Sequence, residues 1–233
     1  MAIRVSQIVD KQIKAWNHRN EKLLSRDREK VHYPVITISR EFGALGAALA
    51  TKLGELTTFE VWDKELMEAI AEDLDSDIKL LETLDERRQQ DIEDAVSGFM
   101  SNIRTNVNYI KSLLRVVRTI EEHGRSIIVG RGANYICEKE NSFHIRVVSP
   151  FKTRVSQYAK KNKMQESKSR KLIEQKDQER AEFIKRYFYR DHSTPSDYAL
   201  IINSGNFTLG QMADLVLDAY EMKIGHKLEL VKK

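Results

Sequence analysis

Five short apolar runs, "VITIS" (35–39), "FEVW" (59–62), "SIIVG" (126–130), "FHIRVV" (143–148) and "YALIIN" (198–203), alternate with segments of helical periodicity. No other feature of the chain constrains its fold as strongly. Each run has strand length and is rich in β-branched or aromatic residues. Helical patterns cover 46–53, 63–74, 77–123, 150–162, 166–188 and 208–222. Strands that alternate with helices imply a parallel sheet, and near-continuous apolar strands imply cover on both faces. The expectation is an α/β fold with a parallel five-stranded sheet. The segment 77–123 is read as a helical insertion between the second and third strands.

A chain of 233 residues can hold one such domain with an insertion, or two small domains. Hydrophobic content of 41% and charged content of 32% fit a helix-rich protein rather than a disordered or membrane one. No apolar run approaches membrane-spanning length, and the N-terminus has no signal-type core with a cleavage site, so a cytoplasmic location is expected. Cys137 is the single cysteine and has no internal partner, and no Cys/His spacing suggests zinc. The metal question reduces to Mg²⁺ arriving with a nucleotide.

Residues 1–33 read as an amphipathic helix with apolar positions at Val5, Ile8, Val9, Ile13 and Trp16, followed by the polar linker "RDREK". Its stripe is expected to dock on the body or on a second subunit, with membrane contact a minor alternative. A homodimer would use this helix or the inserted helices. Pro34 marks entry to the main domain, 34–225, and 226–233 is a basic tail. Charge is uneven: 55–100 holds 15 Asp/Glu against 4 Lys/Arg, and 154–190 holds 12 Lys/Arg against 5 Asp/Glu. The basic segment could attract phosphates of nucleotides or nucleic acid, or form a solvated helix face.

In an open parallel sheet, ligands bind beyond the carboxyl ends of the strands, and the loop after the first strand is the usual phosphate site. Here that loop reads "SREFGALGAA". Gly43 and Gly46 allow special backbone shapes, and Ala44, Ala47 and Ala48 leave room for a phosphate near the amides. The pattern G-x-x-x-x-G-K-[ST] is not met. By letters alone, the loop is either a tight strand-to-helix turn or a phosphate cradle.

"TISREFG", "DKELM" (63–67), "IIVGRGANYI" (127–136) and "KLIEQKDQERAEFIKRYF" (171–188), in that order, resemble the cytidylate kinase-like family, a branch of the P-loop nucleoside monophosphate kinases. The resemblance runs over about 34–222 and implies a P-loop kinase-like three-layer fold with a helical lid over 154–190. Members of that branch typically read S-R-[EQ]-[FY]-G-S-G-G-R. This chain places Ala44 at the serine, Leu45 at a glycine and Ala47 at the arginine. True cytidylate kinases read G-R-D where this chain has Gly132.

The resemblance implies that Arg40, Gly43, Ala44, Leu45, Gly46, Ala47 and Ala48 hold the donor phosphates of ATP. It assigns Asp63, Arg131, Asp177 and Arg180 to the acceptor, and Arg154 to the lid base. Arg131, Arg180 and Arg186 or Arg190 would neutralise charge in the transfer. Each has a plainer reading: Arg131 as a structural arginine, Asp63 as a helix N-cap, and Asp177 with Arg180 as a surface ion pair. Asp191, His192 and Asp197 in "RDHSTPSDY" read as a turn with Asx-type caps.

Three functions follow. The first transfers the γ-phosphoryl group of ATP, carried with Mg²⁺, to a nucleoside monophosphate such as CMP. The second keeps nucleotide binding without turnover, as a sensing or interaction module. The third, nucleic-acid binding through Tyr158, Phe183, Tyr187, Phe188 and Tyr189, is remote, because rings at helical spacing are more often core.

Overall fold

The computed structural model describes residues 33–72, 76–101, 107–228 and 230–231, together with Lys11 and Lys14. The apolar stripe expected at 5–16 lies outside the described residues. Five strands, β1 (Val35–Arg40), β2 (Glu60–Trp62), β3 (Ser126–Val129), β4 (Ser142–Val148) and β5 (Leu200–Asn203), form one sheet. The order is β2-β3-β1-β4-β5 and every pairing is parallel. The α/β expectation is met, with each strand close to its sequence-read bounds. Val35, Ile36 and Ile38 of β1, Ile127 and Ile128 of β3, and Ile145 and Val147 of β4 are fully buried. Without polar alternation these strands need cover on both faces, and the first strand has become the central one.

The chain divides into two compact units, one of residues 34–63 with 125–233 and one that includes 64–124. In the sheet unit, α1 (Gly46–Leu56) and α9 (Leu209–Ile224) pack together over one face. Tyr220 of α9 is fully buried, meets Phe59 and Phe143 edge-on at 5.7 and 5.8 Å, and donates its hydroxyl to the Pro34 carbonyl at 2.6 Å. Helix α6 (Ala133–Ile136) follows β3, and α7 (Phe151–Lys161) and α8 (Glu166–Phe188) follow β4 and pack on each other. Ser169 of α8 donates to the Val155 carbonyl at 2.9 Å, beside the fully buried Ile173.

The second unit gathers α2 (Lys64–Glu72), α3 (Ser76–Leu81) and α4 (Glu86–Met100) on α5 (Val107–His123). Met67, Ile70, Leu80, Ile92, Ile110, Leu113 and Val117 form its core. The long helical stretch read at 77–123 is broken after Leu81. Thr83 Oγ1 donates to the Leu80 carbonyl at 2.6 Å, and Asp85 then caps α4 by accepting from the Arg88 amide at 3.0 Å. Arg115 joins Asp77 at 2.7 Å and pairs with Glu93, and its guanidinium holds the Glu93 carboxyl below its ordinary range. Among the described residues no helix is long and apolar enough to cross a membrane.

Candidate functional site

At the centre of the sheet, the loop 41–45 leaves β1 and starts α1. Gly43 and Leu45 both take positive φ, +82 and +66. A β-carbon at Gly46 would fall 2.7 Å from Cβ of Arg40, so only glycine lets the helix begin this close to the strand. Ala44 is fully buried, while Leu45, Ala47 and Ala48 face outward. Leu45 precedes the helix without a side-chain cap, so the amides of Gly46, Ala47 and Ala48 open the helix with no intrahelical acceptor. That first turn presents N–H donors at the positive end of a helix, with Ala47 and Ala48 exposed, a fit for phosphate oxygens.

Cations reach the same loop from α7 and α8. Arg154 of α7 is 5% exposed; it donates through Nε to the Ser149 carbonyl at 3.0 Å and through Nη1 to the Phe42 carbonyl at 3.0 Å. Its Nη1 also meets Asp177 Oδ2 at 2.5 Å, and its Nε lies 3.4 Å from Glu41 Oε2. Asp177 Oδ1 accepts from the Phe42 amide at 2.7 Å, so a carboxylate of α8 already sits on the loop. Glu41 Oε2 accepts from the Ser149 amide at 2.9 Å, joining the loops after β1 and β4. Arg180 donates to the Arg40 carbonyl at 3.0 Å and lies 5.2 Å over the Phe42 ring, whose other neighbour is Tyr158 at 5.1 Å. Asp177 and Arg180 therefore each engage the loop.

The loop after β3 borders this site. Arg40 extends across it, since a β-carbon at Gly130 would fall 1.9 Å from Nη1 of Arg40. Arg131 takes φ +51, and its guanidinium lies 4.7 Å over the Phe183 ring of α8. Gly132 has φ +70, and a β-carbon there would fall 2.2 Å from the Phe188 ring, which accounts for a glycine where true cytidylate kinases carry aspartate. Asp63 follows β2 as an exposed residue immediately before α2. Arg186 and Arg190 are exposed, at the end of α8 and just beyond it. Of the residues singled out in the sequence, Arg40, Gly43 to Ala48, Arg154, Asp177 and Arg180 come together, Arg131 lies one loop away, and Arg186 and Arg190 do not join them.

The segment 191–197 is the turn read from sequence. Asp191 Oδ1 accepts from the Ser193 amide and hydroxyl at 2.9 and 2.7 Å, and Pro195–Asp197 form a 3-10 turn. These two bonds keep the Asp191 carboxyl below its ordinary range, while burial and the Arg146 charge lower the His192 imidazole. The aromatics of α8 pack on one another, with Phe183 4.9 Å from Tyr187 and 6.2 Å from Phe188; Tyr189 is 66% exposed. Sequence reasoning passed over Glu41, Ser149 and Arg146. Arg146 had a visible signal, a charge inside the apolar run "FHIRVV".

Residues 35–206 match the model of the cytidylate kinase-like family. The chain belongs to that family. It is a nucleotide-binding, kinase-like protein, and the family match includes the loop, both arginine-bearing helices and the turn after them. Among solved structures, an uncharacterised protein from Eubacterium ventriosum is 20% identical with a TM-score of 0.65, covering 81% of this chain and 98% of that one. A shikimate kinase from Acinetobacter baumannii is 12% identical with a TM-score of 0.44, covering 84% of this chain and 96% of that one. A uronate isomerase from Corynebacterium glutamicum is 24% identical over 131 residues, 56% of this chain. The match spans 25% of that relative's length.

Proposed function

We propose that the protein transfers the γ-phosphoryl group of ATP to a nucleoside monophosphate, CMP being the first candidate. In this reading the amides and small residues of 43–48 hold the donor phosphates, with Arg40 beside them. Arg131, Arg180, Asp177 and Asp63 serve the acceptor, and Arg186 or Arg190 approaches as α7 and α8 close over the site, with Arg154 at their base. Phosphoryl transfer asks the protein for positioning and charge stabilisation rather than a covalent nucleophile. Mg²⁺ is assigned to the phosphates that carry it in. One observation carries the reading: Arg154 and Arg180 meet the loop whose first-turn amides are open. Cations from other elements thereby replace the lysine that the loop lacks.

The deciding assay incubates the protein with ATP, Mg²⁺ and CMP, dCMP or UMP and follows diphosphate formation. A diphosphate product that disappears in Arg180→Met supports the proposal, with a loss on the order of 10²- to 10³-fold expected for one charge-stabilising donor. No diphosphate at high protein concentration overturns it. A second reading, nucleotide sensing without turnover, draws on the Asp177 bond to the Phe42 amide. A phosphate entering the loop would compete with that carboxylate and release α8. Calorimetric ATP binding without turnover selects this second reading.

A further inference from the structure

Arg146 lies on β4 in register with Ser39 of β1 and Ile201 of β5, and it is 5% exposed. Its hydrogen bond runs from Nη1 to Ser39 Oγ at 3.1 Å, and its guanidinium lies 5.7 Å from the Tyr198 ring centre. It forms no ion pair with a carboxylate among the described residues. Asp191 feels its charge but is exposed and bound to Ser193. A guanidinium with one neutral hydrogen-bond acceptor has further N–H donors to offer a ligand.

The neighbours of Arg146 are polar and converge on one place. Tyr198 gives its hydroxyl proton to the His192 carbonyl at 2.7 Å, so the 3.2 Å contact with Ser39 Oγ is donated by the serine. Ser39 thus accepts from Arg146 and donates to Tyr198. The backbone carbonyl of His192 is tied to the same cluster through Tyr198. Helix α1 sits against Ile38 and Arg40, as the contacts at Gly46 show. Ser39 and Arg146 therefore point to the opposite face of the sheet.

We propose that Arg146, with Ser39, forms an anion subsite that takes the phosphomonoester of the acceptor. The inference rests on the kinase reading above. It places the donor phosphates over the α1 side of the carboxyl end of β1 and the acceptor phosphate over the other side. Within that scheme Arg146 is a substrate-binding residue, and its planar fork matches a phosphate bidentately.

Equilibrium binding tests this without turnover. CMP, inorganic phosphate and ATP are titrated separately by calorimetry into wild type, Arg146→Met and Arg146→Lys, and the unfolding temperature of each ligand-free protein is recorded. Arg146→Met is expected to bind CMP and phosphate about 10- to 100-fold more weakly, to bind ATP as wild type does, and to unfold at a temperature close to that of wild type. Unchanged CMP and phosphate affinity in Arg146→Met overturns the subsite, and the kinase reading stands if wild type still forms diphosphate. Equal loss of ATP and CMP affinity marks a structural role and overturns it too. A wild type that binds ATP but no monophosphate overturns both readings. If Arg146→Met does not fold, Arg146→Lys decides. The ammonium keeps the charge without the fork, so weaker CMP binding at unchanged ATP affinity supports the subsite and unchanged CMP binding refutes it.

Discussion

Leu45 has φ 66 and ψ 10, a left-handed conformation that costs a non-glycine residue roughly 1–2 kcal/mol. The strain lies where the loop 41–45 turns into α1, a glycine-type backbone carried by a leucine. Gly132 is the converse case, a glycine required by its neighbour. A side chain at this position would meet both a positive φ of 70 and the Phe188 ring. Gly132→Asp is therefore expected to destabilise the protein by roughly 2–5 kcal/mol, seen as a lower urea midpoint, and a midpoint equal to wild type would contradict the packing argument. These residue-level facts were out of reach of the sequence. "GALGAA" shows which residues are small, but not that Gly46 faces Cβ of Arg40 or that Leu45 is left-handed. Asp177 and Arg180 were legible as a pair on one helix, yet their partners, the Phe42 amide and the Arg40 carbonyl, come from a strand end more than a hundred residues away.

The elements themselves were largely legible. β1, β3 and β4 announce themselves as apolar runs because the inner strands of a parallel sheet are buried on both faces, while the edge strands β2 and β5 are apolar but only partly buried. The inserted helices were less distinct. The break after Leu81 depends on Thr83 turning back on Leu80 and on the Asp85 cap, local bonds that helical periodicity does not register. Helix α9 begins more firmly, with Thr208 and Gln211 forming a reciprocal capping box. Thr208→Ala removes the side-chain acceptor for the Gln211 amide and is expected to cost about 1 kcal/mol. Thermal unfolding should register the loss, and Thr208→Asn should restore most of it. A Thr208→Ala protein as stable as wild type would mean that α9 is held by its packing on α1 and the sheet alone.

At the scale of the whole molecule, a histidine inside the sheet is expected to contribute to acid sensitivity. His144 lies between Thr37 Oγ1, 2.7 Å from Nδ1, and Ser142 Oγ, 3.1 Å from Nε2. Ser142 gives its proton to the Glu138 carbonyl, so it accepts from Nε2–H, and Nδ1 accepts from Thr37. Burial first, then the charges of Lys223 and Lys139, lower this imidazole from 6.5 to about 4. A lowered folded value means that the unfolded chain binds the proton more tightly. The contribution, about 3 kcal/mol, is complete above pH 6.5 and is lost as pH falls toward 4. His192, lowered by burial, acts in the same direction. Urea unfolding at pH 7, 5.5 and 4.5 should show a steady fall in stability that flattens in His144→Gln, and an unchanged slope in that variant would rule His144 out.

The central place of β1 also bears on how the protein is made. Its hydrogen-bonded neighbours, β3 and β4, lie some ninety or more residues later in the chain, and Tyr220, later still, fastens onto Pro34 just before it. During synthesis this strand of consecutive buried residues must wait without partners on either edge while the whole 64–124 unit is translated. Non-local pairing of this kind folds slowly and leaves an apolar edge open to other chains. A nascent chain halted before residue 142 would present that edge, making β1 the segment most in need of a chaperone.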